Sequence, residues 1–209
     1  ANPFIITNRT LSFDKMPEKF DLRTYGWITP VKNQGFNGAC WVFGNMATLE
    51  SSFLRYTNTT YSFSVNNIQN SMLRYSKYGN VYYAEGANNL EVLLYLVDWL
   101  GIFPEEYDDY DELGKISSLL ITPQDLHIQN AVVIPKRKNS EDNALIKNAL
   151  IQYGALSASH YADFNESTYY NKDKSALYYF GEEDGNHMVC IVGWDDTYSR
   201  NNFLKTPPK

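Results

Sequence analysis

Hydrophobic and polar positions change their spacing along the chain, from helix-like in the first half to strand-like in the second. In the first half, apolar residues recur at three- and four-residue intervals, which predicts helices over residues 40–56, 65–75 and 88–100. The third helix has an apolar stripe typical of a face that packs on a core. The stripe consists of Leu90, Leu93, Leu94, Val97 and Leu100.

The second half contains short apolar runs bounded by turn residues, a pattern that predicts strands. These runs cover residues 131–134, 155–159, 177–180 and 188–192. One helix interrupts them, and the apolar spacing predicts it over residues 140–153 with Ser140 as its N-cap. The order of elements therefore indicates an α+β protein whose helices come first.

One of the two cysteines, Cys40, stands where a nucleophile would be placed; the other is Cys190. Cys40 follows a loop that contains Gly35 and Gly38, and it begins the first predicted helix. A thiol in the first turn of a helix faces unpaired N–H groups and the positive end of the helix dipole. This environment favours the thiolate, which is the attacking species. A small buried cysteine that fills the core is the alternative interpretation.

The residues around Cys40 resemble the nucleophile loop of the papain-like cysteine proteases. The run Asn37-Gly38-Ala39-Cys40-Trp41 matches four of the five positions of the family signature C-G-[SA]-C-[WY], and Asn37 is the exception. Other segments resemble the family in the same order along the chain. They are residues 17–23, 29–35, 63–68, 101–107 and 186–194.

The resemblance implies a papain-like two-lobe fold, in which a helical N-terminal lobe carries the nucleophile and an antiparallel, β-barrel-like C-terminal lobe carries the catalytic histidine. On this basis we expect a leader or linker at residues 1–15, the helical lobe at 16–122 and the β-rich lobe at 123–209. The family also has an orienting asparagine in an Asn-Ser-Trp-Gly motif, which does not occur after His187. We therefore expect the second lobe to be incomplete at its C-terminal end.

Three residues are expected to act in catalysis. His187 lies 147 positions after Cys40, within the separation of about 130–150 residues known for this arrangement. It also begins an apolar run, and a rigid strand start is a good position from which to aim an imidazole. The resemblance implies that Gln34 donates to the oxyanion together with the backbone N–H of Cys40. Of the other histidines, His127 reads as a surface or partly buried residue without a catalytic role, and His160 as a residue that could border the cleft.

A replacement for the missing asparagine would have to come from the residues after His187. The candidates are Asp195, Asp196, Asn201 and Asn202. Substrate contacts are expected from a second group, which the resemblance places at Gly38, Glu85, Gly86 and Asn186. At Glu85 the chain departs from a pair of glycines that binds the substrate backbone in the family.

Composition excludes several other classes of function. The net charge of −6 and the lack of a basic cluster beyond Lys136-Arg137-Lys138 argue against nucleic-acid binding. No apolar run approaches the ~20 residues of a membrane span, and the cysteines lack metal-ligand spacing, so we expect no metal and no cofactor. N-x-[ST] triplets occur at Asn8, Asn58 and Asn165, but such triplets are common by chance.

The sequence thus predicts a secreted or cell-surface cysteine endopeptidase that hydrolyses polypeptides through a thioester acyl-enzyme. A propeptide or attached cell-surface domains are possible partners. Two alternatives stay open. One is a non-catalytic papain-like adhesion or binding module, and the other is an endopeptidase or acyl-transferase directed at cell-wall peptides.

Overall fold

The computed structural model describes residues 15–73, 79, 85–114, 126–163 and 168–208. Within these residues, four α-helices occur: α1 Cys40–Thr57, α2 Val65–Ser71, α3 Asn89–Val97 and α4 Ala144–Tyr153. Six short strands accompany them: β1 Lys19–Asp21, β2 Leu156–His160, β3 Tyr170–Asn171, β4 Ala176–Leu177, β5 His187–Ile191 and β6 Gly193–Asp195. The predicted leader at residues 1–15 lies almost wholly outside the described residues.

Helix α1 forms the centre of the first half and confirms the first predicted helix. It begins at Cys40 and ends at Thr57, where Asn58 takes a left-handed conformation and its N–H donates to the Leu54 carbonyl. Several of its apolar side chains are among the most deeply buried of the described residues, with Trp41 and Val42 fully inaccessible to solvent. The first hydrophobic core is therefore built around this helix.

Helix α2 is short and buried along its whole length although most of its residues are polar. It starts where the Ser64 hydroxyl accepts the Asn67 N–H, and it ends four residues before the predicted end. Its amides bond to buried partners: Asn66 donates to the carboxylate of Asp108 at 2.7 Å, and Asn67 accepts from the Tyr95 hydroxyl at 2.6 Å. Burial also raises the pKa of Tyr95, which keeps its phenol a hydrogen-bond donor.

Helix α3 begins as predicted, with Asn88 and Glu91 forming a capping box. The predicted core stripe is wrong for three of its five residues, whereas Leu100 packs against the first core as predicted. Leu90, Leu94 and Val97 are 55%, 43% and 46% exposed, and the residues that point into the core are Val92, Tyr95 and Leu96. Nearly every position of this helix is apolar, so spacing alone does not single out one face. The hydrogen bond from Tyr95 to α2 fixes the face that is buried.

The strands form three antiparallel pairs, and no barrel closes among the described residues. Strand β2 pairs with β5 along its whole length, β3 pairs with β4, and β1 pairs with β6. The α+β class is confirmed. Two strand predictions fail. The strand predicted at residues 131–134 does not form, and Val133 is 77% exposed. The strand predicted at residues 177–180 is too long, because only Leu177 of these residues is in a ladder.

Helix α4 starts later than predicted. Ser140 lies in a turn in which the Asn139 side chain accepts the N–H groups of Glu141 and Asp142. The helix itself begins at Ala144 with Asn143 as its N-cap. The prediction of Ser140 as the cap was therefore wrong, because Asn139 competes for the same backbone donors.

A second hydrophobic core joins the two ends of the chain. It contains Phe20, Leu22 and Trp27 from near the N-terminus, together with Leu150 and Ala155. Strand β1 therefore packs with the strand-rich half even though it precedes the helical residues. The predicted lobe boundary at residue 122 lies outside the described residues, and the division into lobes stays a prediction.

The two halves meet where α1 crosses β5. Gly44, one turn after Cys40, lies so near this strand that an added Cβ would be 3.4 Å from the backbone of Val189. This close contact brings the first residue of α1 near the first residue of β5. In the described part of the chain, no helix combines the length and the apolar composition that a membrane span requires.

Candidate active site

Cys40 and His187 line one open cleft of about 650 Å³ between the two halves of the molecule. Other predicted site residues that line it are Glu85, Gly86 and Asn186. The rest of the lining consists of Ala87, Asn88, Asn89, Glu91, Ser159, Gly185 and Met188. The cleft thus brings together five of the seven residues proposed from sequence.

Cys40 is the first residue of the 18-residue helix α1 and is 8% exposed. The first N–H groups of such a helix have no acceptor within the helix, and they point toward the end where the sulfur lies. Cys190, on β5, lies elsewhere, with its sulfur 3.5 Å from the hydroxyl of Thr48. Burial raises the pKa of the Cys190 thiol, so this second cysteine is protonated and unreactive at neutral pH.

His187 is half-buried at the start of β5, directly opposite His160 on β2. Burial lowers the pKa of His187 below its ordinary value of 6.5, and the nearby His160 lowers it further when charged. A neutral imidazole at this position can accept a proton, and it lines the same cleft as the thiol of Cys40. A thiol and an imidazole that share a cleft are the elements of a Cys-His nucleophile.

Gln34 and Gly38 do not line the cleft. The side-chain amide of Gln34 donates to the carbonyl of Asn37 at 2.9 Å, and the backbone carbonyl of Gln34 accepts from the hydroxyl of Tyr110 at 2.9 Å. The bond to Asn37 folds the nucleophile loop back on itself, and the bond from Tyr110 joins the loop to a residue outside it. A primary amide has two hydrogens, so the bond to Asn37 leaves Gln34 a second donor.

Asn186 lines the cleft, but its side chain serves the fold. Its amide forms two hydrogen bonds with the backbone of Ala162, accepting the N–H at 2.8 Å and donating to the carbonyl at 3.0 Å. The backbone N–H of Asn186 donates to the carbonyl of His160. Asn186 therefore fixes the segment that leads into His187, and both ends of its amide are already used.

The cleft has a negative lining. Glu85 and Glu91 both lie in its wall, and no lysine or arginine occurs among the described residues that line it. The carboxylate of Glu91 accepts the backbone N–H of Asn88 in the capping box of α3, whereas Glu85 is an exposed residue at the rim. The geometry thus favours ligands with positive charge near this wall.

Gly185 is a cleft residue that sequence reasoning missed. An added Cβ would overlap the hydroxyl of Ser159 and lie 3.2 Å from the backbone of His160. Glycine therefore lets the segment before His187 lie flat on β2. The glycine was visible in the sequence, but its contact with His160 depends on strand pairing that no local pattern shows.

The weak candidates for orienting His187 lie away from the cleft; Asp195, Asp196, Asn201 and Asn202 are all absent from its lining. Asp195 accepts from Thr197 and pairs with Lys19, and these contacts hold its pKa below the ordinary range. Asp196 forms a salt bridge with Lys147. Within the described residues, no cluster of three or more metal-ligating side chains occurs.

Comparison with known proteins agrees with this geometry. The sequence model of the papain family cysteine proteases matches residues 16–205. Procathepsin L of Felis catus is 27% identical over 194 residues, which cover 90% of this chain and 55% of that protein. Cathepsin S of Bos taurus is 26% identical over a match that covers 97% of this chain and 59% of that protein. The chain spans somewhat more than half the length of these relatives.

Solved structures show the same fold. The cysteine protease and lectin-like domains of Cwp84, a surface layer associated protein of Clostridium difficile, superpose with a TM-score of 0.74 at 29% identity. That match covers 97% of this chain and 44% of the other. The bromelain protease from Ananas comosus, in complex with the E64 inhibitor, gives a TM-score of 0.63 at 20% identity and covers 85% of this chain and 75% of its own.

Proposed function

The chain belongs to the papain family of cysteine proteases, and we propose that it is a cysteine endopeptidase that hydrolyses peptide bonds in polypeptides. The observation that carries the proposal is the shared cleft, which is lined by the thiol at the start of α1 and the imidazole at the start of β5. Nucleophilic catalysis by cysteine needs both groups on one open surface.

Acylation begins when the thiol proton of Cys40 passes to the neutral imidazole of His187 and the resulting thiolate attacks the carbonyl carbon of the scissile peptide. The carbonyl oxygen becomes an oxyanion, which accepts from the N–H of Cys40 and, in the role that the family resemblance gives to Gln34, from the amide hydrogen that its bond to Asn37 leaves available. The C–N bond then breaks, and His187 gives its proton to the leaving amine. The product of this step is a thioester between Cys40 and the N-terminal part of the substrate.

Deacylation uses the same imidazole as a base. His187, now neutral, takes a proton from a water molecule while the oxygen of that water attacks the thioester carbonyl. The C–S bond breaks, the carboxylic acid leaves, and the thiolate of Cys40 and the imidazolium of His187 are restored. Because burial lowers the pKa of His187, the neutral base required here forms readily near neutral pH.

The remaining assignments extend the same proposal. Glu85 and Gly86 contact the substrate at one wall of the cleft, and Gly38 shapes the nucleophile loop. The substrate is a polypeptide and no cofactor takes part. Relatives include a surface layer associated protein, and one solved structure is described as that protease after propeptide cleavage. We therefore assign this chain to a secreted or cell-surface protease that acts after removal of a propeptide.

Labelling and hydrolysis together test the proposal. At pH 6, iodoacetamide or a thiol-directed epoxide should modify Cys40 first. Cys190 should react only at higher pH, because burial raises its pKa. Hydrolysis of a denatured polypeptide should vanish in C40A and persist in the matched variant C190A. Preferential labelling of Cys190, or equal hydrolysis by C40A and the wild type, would contradict the proposal; an inert Cys40 would instead favour the binding module.

A further inference from the structure

His160 and His187 face each other across the β2–β5 ladder. They occupy opposite positions in the register, so their side chains lie on the same face of the sheet. The ring centroids are 5.6 Å apart and the ring planes meet at 74°, which is an edge-to-face contact. One wall of the space around the catalytic imidazole is therefore the ring of another histidine.

The ring of His160 is itself held in place. Its Nδ1 lies 3.0 Å from the carbonyl oxygen of Tyr161. A carbonyl can only accept, so Nδ1 carries the proton and, in the neutral ring, Nε2 has the lone pair. The carbonyl of His160 accepts the N–H of Asn186, and Tyr161 stacks on Tyr179 with centroids 4.2 Å apart. Backbone and side chain of His160 are thus both fixed.

We propose that His160 is a positioning residue for the catalytic imidazole: its ring limits the rotation of His187 and keeps that ring directed at Cys40. The inference rests on the proposed function, because it concerns the same Cys-His pair. An imidazole has a soft torsion about its second side-chain bond, so a neighbouring ring that is locked by a hydrogen bond reduces the number of orientations available. Misplacement of a catalytic group by about 1 Å can lower the rate on the order of a hundredfold.

The charge of His160 also acts on His187. The titratable groups that share the ladder or the cleft with His187 include His160 from β2, Cys40 from α1, and Glu85 and Glu91 in the cleft wall. The same elements carry two further titratable groups. Glu50 lies ten positions after Cys40 on α1 and is 1% exposed, and Cys190 lies on β5 with its sulfur in contact with Thr48. Burial lowers the pKa of His187, and a positive charge on His160 lowers it further. Replacing His160 by an uncharged residue should therefore raise the pKa of His187.

The test measures the rate of Cys40 alkylation by iodoacetamide against pH in the full chain carrying C190A. The variants are H160A, which removes the ring, and H160F, which keeps a planar ring without charge. H187A reports on the proposed function, and H127A is the matched control, because His127 stacks on Trp99 outside the cleft. Circular dichroism confirms the fold of each variant.

We expect H160A to lower the alkylation rate at pH 6 by about tenfold, because the imidazole is no longer held beside the thiolate. H160F should recover most of that rate. In both variants, the inflection of the pH–rate profile that reports the titration of His187 should move to higher pH. Should H160A fail to fold, H160F still reports the shift of the His187 inflection to higher pH. Profiles of H160A and H160F that match H127A would overturn the inference. If H187A also matches the wild type, the proposed function itself fails.

Discussion

The hydroxyl of Ser157 on β2 donates a 3.0 Å hydrogen bond to the side-chain oxygen of Asn89 at the start of α3. The same oxygen accepts the side-chain amide of Asn45 on α1 at 2.7 Å. Asn89 therefore ties the first and second halves together at the wall of the cleft. This amide is one of the contacts that join the two walls of the cleft.

We expect N89A to destabilise the protein by about 1–3 kcal/mol, because two partly buried donors lose their acceptor. S157A removes a single donor and should cost only about 0.5–1.5 kcal/mol. Urea unfolding measures both, and kcat/KM on a peptide should fall in N89A since the residue also lines the cleft. Equal stability of N89A and the wild type would show that the two halves are held together elsewhere.

Glu50 is the most deeply buried carboxylate of the described residues, with 1% exposure. It accepts from the hydroxyl of Thr29, the ammonium of Lys32 and the backbone N–H of Phe63. Removal of one partner of a buried ion pair typically costs about 3–5 kcal/mol. We expect a loss of that size in E50A and a smaller one in E50Q, which retains the shape and one acceptor.

The matched control for Glu50 is E105A, because Glu105 also pairs with Lys32 but is partly exposed. Its loss should change the free energy of unfolding by about 0–1 kcal/mol. Chemical denaturation of the three variants gives the comparison. If E105A loses as much free energy of unfolding as E50A, the exposed pair with Lys32 contributes as much to stability as the buried one, which would contradict this prediction.

Gly185 should tolerate no side chain while Ser159 is present. In G185A the new methyl group meets the Ser159 hydroxyl and the His160 backbone. Overpacking of this kind costs about 1–3 kcal/mol and should shift the segment that leads into His187. The double variant G185A/S159A should recover part of the lost stability and activity, because the overlap with the Ser159 hydroxyl is gone. Recovery should be incomplete, because the contact with the His160 backbone at 3.2 Å remains.

Thermal unfolding and peptide hydrolysis of the single and double variants give the test for Gly185. G86A is the control for stability, since a Cβ at that cleft glycine meets nothing within 4 Å. An additive double variant, with no recovery, would show that the Ser159 hydroxyl is not the group that excludes a side chain.

Glu85 should give the cleft a preference for positively charged substrates. It lies exposed at the rim, where a charge pair is worth about 0.2–1 kcal/mol. Peptides that differ only by lysine or glutamine near the scissile bond should therefore differ about two- to fivefold in kcat/KM. E85Q should reduce this ratio, as should added salt. E141Q, which removes an exposed carboxylate outside the cleft, should leave the ratio unchanged, and a ratio unaffected by E85Q would exclude this role.

Several features of the fold and of the site follow from local sequence. Cys40 was placed at a helix start because a glycine-containing loop is followed by an apolar run with helical spacing. His187 was placed at a strand start because apolar residues follow it without interruption. Both signals arise within a few residues, so neither needs information about the rest of the chain.

Other features were decided by tertiary contacts. In α3 nearly every position is apolar, and the buried face was selected by the bond from Tyr95 to α2. Residues 131–134 have a strand-like sequence but no ladder partner among the described residues, and a strand forms only when its backbone groups are paired. β1 pairs with β6 across almost the whole chain, which no local pattern reveals.

The finer geometry of the site also depends on contacts distant in sequence. Asn186, which was predicted to contact substrate, lines the cleft, but its amide is bound to Ala162, and the amide of Gln34 is bound within its own loop. The approach of His160 to His187 is set by the register of β2 and β5. Sequence alone determined that Cys40 begins a helix and that His187 begins a strand. The partners of those side chains were decided by the packing of strands and helices that are far apart in the chain, because hydrogen bonds and ring contacts form only at short range in space.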